Sequence, residues 1–248
     1  MTQHSIDNPQ FYLTSPQSCP YLDDKQERKI FTYLVGKDAD HLNNLLSAGG
    51  FRRSQTIAYR PACEDCKACR SVRILLPFFN FSRNQKKILN KNRDIIRVIK
   101  PAVATSEQYD LFNRYLCYRH RDGGMVSMTM GDYKAMIEET HIDTIIIEYR
   151  LRDADSGITG TSRGKLVGVA LTDRLDDANS MVYSFFDPVL DRRSLGTFII
   201  LDHVRDGIAS GLSHLYLGYW IEGSAKMSYK TRFKPLEILS GGGWTRLD

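Results

Sequence analysis

The stretch from Tyr183 to Phe233 constrains the fold more than any other part of the chain. An apolar, aromatic run, Met181-Val182-Tyr183-Ser184-Phe185-Phe186, leads into it and stops at Asp187-Pro188. Arg192-Arg193-Ser194-Leu195-Gly196-Thr197 comes next. Beyond it Leu195, Phe198, Leu201, Val204 and Ile208 recur at spacings of three and four, the spacing of one helical face. Gly211 supplies a stop. A second apolar run, Leu215-Tyr216-Leu217-Gly218-Tyr219-Trp220-Ile221, then reads as a strand. The order is strand, turn, helix, strand. A helix that begins here exposes unpaired backbone N–H groups and the positive end of its dipole, which together hold a phosphate. Ser194 and Gly196 let a ligand approach the backbone, and Arg192 and Arg193 add full charges. The same residues also suit a plain helix start preceded by solvated arginines, and both readings are open at this point.

At 248 residues the chain has room for one large domain or two small ones with a buried core. No apolar run approaches the roughly eighteen residues of a membrane helix, so no membrane partner is expected. Met1-Thr2-Gln3-His4-Ser5 lacks the basic and apolar regions of a signal peptide, which points to the cytoplasm. Five cysteines, an odd number, argue against a disulfide framework there. The net charge of +5 is modest, but it is unevenly placed.

Ser18-Cys19-Pro20-Tyr21-Leu22 reads as a loop, because proline holds the residue before it extended. A strand is expected over Lys29–Val35 and a helix over Ala39–Ala48, with Leu42, Leu45 and Leu46 on one face and Gly49-Gly50 as the stop. Phe51–Arg60 reads as one strand carrying Arg52, Arg53, Tyr59 and Arg60. Cys63, Cys66 and Cys69 then follow at intervals of three, with Cys19 available as a fourth thiol. Such a set suits zinc or an iron–sulfur cluster, and it equally suits a tight turn of reduced thiols. Val72, Ile74 and Leu76 alternate as in a strand. Ser82 is a helix N-cap, and Arg83, Lys86, Lys87 and Lys91 recur at helical spacing with no acid before Asp94. A charge run can be only a solvated face, but so many bases without an acid point to nucleic-acid phosphates.

Ile95–Ile99 reads as a strand ended by Pro101, and a domain boundary is expected there, dividing 1–100 from 101–248. Helices follow from Thr105 to Arg119-His120 and over Asp132–Glu139. Strands are expected over Ile142–Leu151 and Leu166–Thr172, with a polar loop from Asp153 to Arg163 between them. There is no Gly-x-Ser-x-Gly elbow and no pairing that suggests a nucleophilic triad. That fits a direct transfer, in which an incoming amine attacks an already activated acyl group.

Taken in order, these motifs resemble the bacterial aminoacyl-tRNA–protein transferases, in the leucyltransferase branch that modifies N-terminal Asp and Glu. The resemblance runs through Cys19-Pro20-Tyr21-Leu22, Gly50-Phe51-Arg52-Arg53-Ser54, Tyr59-Arg60-Pro61-Ala62-Cys63 and on to Cys69. It continues through Ser82-Arg83-Asn84-Gln85-Lys86, Arg119-His120, Tyr183 to Pro188 and Ser194-Leu195-Gly196-Thr197. Leu217 to Ile221, Lys226-Met227-Ser228-Tyr229-Lys230 and Phe233 to Leu236 complete it. It implies an α/β (mixed α+β), GNAT-like acyltransferase fold: a mixed central sheet flanked by helices, with a cysteine-containing N-terminal region.

The implied partners are leucyl-tRNA and proteins or peptides with an N-terminal Asp or Glu. The transfer itself needs no cofactor, with zinc or an iron–sulfur cluster at Cys19, Cys63, Cys66 and Cys69 as an addition. Asp187 is the candidate proton acceptor, and Tyr183 the candidate hydrogen-bond donor to the reacting oxygen. Fixed positive charge must meet the acidic acceptor, and Arg53, Tyr59, Arg60, Arg119 and His120 are assigned to it, with Arg60 and Arg53 favoured over Arg52. Arg83, Lys86, Lys87, Lys91, Arg192, Arg193, Ser194, Gly196, Lys226 and Lys230 are assigned to tRNA. The rival readings are an arginyl-tRNA–protein transferase, a CoA-dependent N-acetyltransferase, and a non-catalytic nucleic-acid-binding module with a structural metal.

Overall fold

The computed structural model of the chain describes residues 9–119, 124–152 and 164–247. The expected loop over Asp153–Arg163 and the candidate His120 lie outside the described residues. The N-terminal part holds β1 (Tyr12–Leu13), β2 (Gln17–Ser18), β3 (Gln26–Glu27), β4 (Lys29–Tyr33), α1 (Ala39–Ala48), β5 (Arg52–Ser54), β6 (Ile57–Pro61) and β7 (Arg70–Leu75). Then come α2 (Arg83–Lys91), β8 (Ile95–Pro101), α3 (Ser106–Arg119), α4 (Met130–Glu138), β9 (Thr144–Leu151), β10 (Leu166–Arg174) and β11 (Ala178–Phe186). A 3₁₀ turn (Pro188–Arg193), α5 (Leu195–Ala209), β12 (His214–Trp220), a second 3₁₀ turn (Ser228–Arg232), β13 (Leu236–Ser240) and β14 (Gly243–Leu247) complete it. No described helix is long and apolar enough to cross a membrane.

The central sheet has eight strands in the order β14-β13-β7-β12-β11-β10-β9-β8. Its pairings are antiparallel except β11 with β12, whose order strand–α5–strand requires a crossover. A smaller sheet, β1-β4-β6-β5, lies beside it. The division near residue 100 does not separate two sheets, since β7 and β8 from the first hundred residues belong to the same sheet as β9 to β14.

Apolar runs in the sequence become strands buried on both faces, because helices cover both sides. Ile145, Ile147 and Tyr149 of β9 face the layer of α5, while Ile146 between them faces α3 and α4. The first core joins Leu195, Phe198, Leu201 and Val204 to Val72, Ile74 and Leu217. The second joins Leu111, Phe112, Tyr133 and Ile137 to Val169, Leu171 and Phe185. The helical face expected for α5 is buried as far as Val204, but Ile208 is exposed near its end. Gly211 takes φ +71° just past that end, and its N–H meets Ile208 O, so it closes the helix as a left-handed residue.

The expected single strand Phe51–Arg60 is instead a hairpin. Its turn puts Gln55 at φ 52°, and β5 pairs Arg52 with Tyr59 and Arg53 with Ala58. Successive strand residues point to opposite faces, so the two arginines part company. Arg53 turns inward, with its side chain 2% exposed, and grips Asp173 of β10 through Nε (2.8 Å) and Nη2 (2.6 Å). Thr144 Oγ1 donates to the same carboxylate at 2.9 Å. This pair ties the small sheet to the central one. Removing one partner of a buried pair leaves an uncompensated charge, at a cost of about 3–5 kcal/mol. Arg53→Met is therefore expected to lower the Tm by roughly 2–4 °C per kcal/mol lost, as thermal unfolding followed by circular dichroism would read.

Candidate active site

The parallel pairing of β11 with β12 is short. Ala178, Asn179 and Ser180 meet His214, Leu215 and Tyr216, and the pairing goes no further. Each strand carries a bulge just past this point. On β11 the register against β10 passes from Met181 to Tyr183 and skips Val182. On β12 the register against β7 passes from Tyr216 to Gly218 and skips Leu217. Bulges bend a strand and break its ladder, so these two open a wedge between the strands.

Backbone carbonyls in a buried wedge need donors. Two cations provide them. Arg52 Nη2 donates to Val182 O at 2.7 Å, and Lys230 Nζ donates to Tyr219 O. Gly218 lets Arg52 in: it has φ +78°, and a Cβ there would stand 2.2 Å from Arg52 Nη1. Only glycine suits both that backbone and that approach. No acid among the described residues is ion-paired with Arg52 or Lys230. Glu27, whose charge reaches Tyr21 as Arg52's does, is held by Lys29 at 2.9 Å. Burial pushes the Lys230 ammonium down to about 7, and the nearby Arg52 charge pushes in the same direction.

The walls of the wedge are aromatic. Tyr219 OH lies 3.0 Å from Gly50 O and 2.9 Å from Tyr59 O, and its ring is 6.2 Å from that of Tyr59. Tyr229 is raised above the ordinary tyrosine value by burial, against the charges of Arg52 and Arg119. Arg119, exposed at the end of α3, thus faces the same space, and it acts on Tyr115 as well. Phe186 packs against Tyr115 (5.1 Å) and lies over Gly196, where a Cβ would meet its ring at 2.9 Å. The wedge and the start of α5 are therefore contiguous. Ser194 there is left-handed (φ 54°) and makes no side-chain cap.

The sequence-derived candidates divide clearly. Arg53 is sealed in the Asp173 pair and cannot meet a substrate. Its neighbour Arg52 stands in the wedge instead. Lys230 is not a surface lysine for tRNA: it is 5% exposed. Asp187 is buried and occupied, accepting from Val189 N–H (3.1 Å) and pairing with Lys165 (2.8 Å). It acts as the cap of the 3₁₀ turn, and each of its oxygens already has one partner. Tyr183 is half-buried on β11, and burial raises it well above the ordinary tyrosine value. Arg193 pairs through both nitrogens with Asp94 (2.7 and 2.9 Å). Arg60 is exposed, lies 5.0 Å over the Phe51 ring and donates to Gly49 O.

The basic helix α2 is placed beside this site. Ser82 and Gln85 close a reciprocal capping box, and Arg83, Lys86, Lys87 and Lys91 are exposed. Lys91 Nζ donates to Arg192 O, and Asn92 Nδ2 donates to Arg193 O at 2.9 Å. Gln85 Nε2 reaches Arg232 O at 3.2 Å, in the turn that carries Lys230. Arg192, Ser194 and Lys226 are exposed near the same elements.

Cys69 lies within electrostatic reach of the other three cysteines of the set. Burial and the neighbouring thiols of Cys19, Cys63 and Cys66 push the Cys69 thiol up to about 11. As donor chemistry they suit a soft metal. As arranged, no three Cys, His, Asp or Glu side chains among the described residues are grouped to hold a metal ion. No step of the chemistry below runs through one.

Comparison with known proteins agrees with this architecture. The profile described as "Arginine-tRNA-protein transferase, N terminus" matches residues 17–87, and "Arginine-tRNA-protein transferase, C terminus" matches 107–240. An aspartate/glutamate leucyltransferase of Nitrobacter hamburgensis is 59% identical over 248 residues, covering 100% of this chain and 96% of the relative. One of Mesorhizobium japonicum is 56% identical over 246 residues, covering 99% and 97%. Among solved structures, FemX superposes with a TM-score of 0.51 at 12% identity over 85% of this chain and 69% of FemX. L-PGS from Bacillus licheniformis gives 0.50 at 11% identity over 83% of this chain and 64% of its own. Those two likenesses are of fold alone: a mixed α/β fold like that of FemX, with helices on both faces of a mixed sheet as expected. Identity of this extent along the whole chain makes it a member of the aspartate/glutamate leucyltransferase family.

Proposed function

We propose that the chain transfers leucine from leucyl-tRNA to the N-terminal α-amine of proteins that begin with Asp or Glu. The observation that carries this reading is the cationic wedge between β11 and β12, where no acid among the described residues pairs with Arg52 or Lys230, flanked by the exposed basic face of α2. The wedge suits a carboxylate and the helix suits phosphates. In the reaction a C–N bond forms at the leucyl carbonyl and the ester C–O bond breaks. The amine gives up a proton, and the departing ribose oxygen takes one. The ester is already activated, so the protein's part is to align the two substrates and to stabilise charge as it develops. Arg52 is the residue that meets the acceptor's side-chain carboxylate, with Arg119 and Tyr59 at the rim. Tyr183 is the candidate donor to the reacting oxygen.

The tRNA lies along Arg83, Lys86, Lys87 and Lys91, with Arg192 and the start of α5. The product is a protein with a new N-terminal leucine, a destabilising residue for degradation. Charged tRNA places the reaction in the cytoplasm. The transfer in this reading calls on no metal, and elemental analysis with visible absorption of anaerobically purified protein tests the thiols for zinc or an iron–sulfur cluster.

The direct test supplies purified protein, leucyl-tRNA and a peptide beginning with Asp, and weighs the product by mass. Addition of one leucine supports the reading. Acetyl transfer from acetyl-CoA, or no transfer at all, refutes it. On the donor side, each Ala substitution at Arg83, Lys86 or Lys87 is expected to weaken tRNA binding and to lower the salt slope by about one. A triple variant that binds leucyl-tRNA as wild type at physiological salt would reduce α2 to a solvated face. On the acceptor side, Arg52→Met is expected to lose on the order of 1–3 kcal/mol of discrimination between Asp and Asn peptides. Transfer rates on the two peptides measure it. The tRNA binding curve should stay unchanged.

A further inference from the structure

Lys230 takes no part in the alignment and charge stabilisation assigned to Arg52 and Tyr183. It is buried in the wedge, its Nζ satisfies one carbonyl, and the charge that acts on it is another cation, Arg52. The groups that face it are few. Arg52 comes from β5 and the Tyr219 carbonyl from β12. The Tyr229 ring, on its own turn, lies 6.0 Å away, and Tyr229 in turn feels Tyr115 and Arg119 of α3. No carboxylate among the described residues bonds to or pairs with it. Two cations held together without an anion repel each other, and burial raises the cost. Such a pair is relieved in one of two ways: the lysine gives up its proton, or an anion enters. A protonated Nζ has three N–H donors and meets one carbonyl, so donors remain for an incoming carboxylate.

We propose, resting on the reading above, that Lys230 is a second, proton-coupled anchor for the acceptor's side-chain carboxylate, able to give up its proton in the empty wedge and to take one from solvent as the carboxylate enters between it and Arg52. No covalent bond changes in this step. The carboxylate gains a second charged partner only when a proton is available. Selection of an acidic N-terminus is thereby tied to pH, which a single arginine, charged at every physiological pH, cannot achieve. A tRNA phosphate is the competing anion, and the test separates the two.

The sign follows from linkage. The lysine of the empty site titrates near 7 and that of the occupied site titrates higher, so binding takes up a proton between the two values. Lys230 therefore strengthens acceptor binding fully below pH 7, and the gain fades by up to about tenfold per pH unit above it. The acceptor KM for an Asp-initiated peptide is measured in the leucyl-transfer assay from pH 6 to 9, for wild type and Lys230→Met. Titration of the peptide amine is common to both proteins and cancels in their ratio. The variant's KM is expected to exceed that of wild type by about tenfold or more at pH 6 and to approach it at pH 9. Its KM for leucyl-tRNA should be unchanged.

Two measurements guard against a misfolded variant. The Tm of Lys230→Met should exceed that of wild type by more at pH 6 than at pH 9, because the unfolded lysine keeps its proton where the buried one gives it up. In wild type alone, calorimetry in two buffers of different ionisation enthalpy should find an Asp peptide taking up close to one proton more than an Asn peptide at pH 8, and much less than that at pH 6. A KM ratio independent of pH, or equal proton counts for the two peptides at pH 8, overturns the inference. An effect confined to the tRNA KM assigns Lys230 to phosphate and overturns it too. If the Asp peptide is leucylated but binds without the extra proton, this inference alone fails. If it is not leucylated, the functional reading falls and this inference falls with it.

Discussion

Two parallel strands that stop pairing leave backbone carbonyls facing each other across a gap, and the site of this protein follows from how that gap is filled. The pairing of β11 with β12 ends at Ser180 and Tyr216, and the next residues of each strand bulge. A buried carbonyl without a donor is costly, so something must enter. Water or a third strand would leave the gap neutral. Arg52 and Lys230 fill it with charge, each on one carbonyl. The side chains that meet this structural obligation of the backbone are thus the same two that the proposed recognition of the acceptor uses.

Arg52 reaches the gap only because its neighbour is anchored. Arg53 is locked to Asp173, with Thr144 supporting the carboxylate, so the short β5 cannot slide against the central sheet. The pleat then sends Arg52 the other way. Gly218 completes the fit from below, since any side chain there would collide with the guanidinium. The small N-terminal sheet is in this sense part of the site. It delivers a cation from outside into a wedge that the C-terminal strands form but cannot fill.

Much of this was legible in the sequence where a local period carries the information. The helix of Leu195–Ala209, its left-handed stop at Gly211, the capped basic helix at Ser82 and the strand positions all follow from spacing and end signals. The fold class and the family followed from ordered motifs. The site was less legible, because what decides it is not local. Two adjacent arginines look alike in a string of letters, and only the strand's sidedness tells which is sealed and which is offered. The hairpin turn at Gln55, which sets that sidedness, carries none of the usual turn residues. Lys230 stands among exposed Lys226 and Arg232, and its burial comes from packing under Tyr219, far from it in structural context if not in number. Asp187 invited a catalytic reading because it ends a strand beside a helix start. Its partner Lys165 comes from β10's approach, which no pattern around Asp187 announces.

The transfer proposed for this chain calls for no nucleophile from the protein. An aminoacyl ester and a free amine react once they are held together, so a covalent intermediate would add a step without removing the difficult one. What remains is a problem of two approaches. The basic face of α2 is fastened to the turn before α5 through Lys91 and Asn92, and to the Lys230 turn through Gln85. A tRNA laid along it therefore ends where α5 begins. In the proposed reading the acceptor side is lined by Tyr59, Tyr219 and Arg119 and ends on Arg52. Phe186, in contact with Tyr115 and lying over Gly196, is the partition between them. Arg193, on the tRNA side, is neutralised by Asp94, whereas Arg52 and Lys230 have no acid paired with them among the described residues. Arg83, Lys86 and Lys87 on α2 likewise have no ion pair among the described residues, but they are exposed, whereas Lys230 is buried and Arg52 partly so. In the proposed reading this difference in burial, more than the count of basic residues, separates the acceptor's carboxylate in the wedge from phosphates on the exposed face of α2.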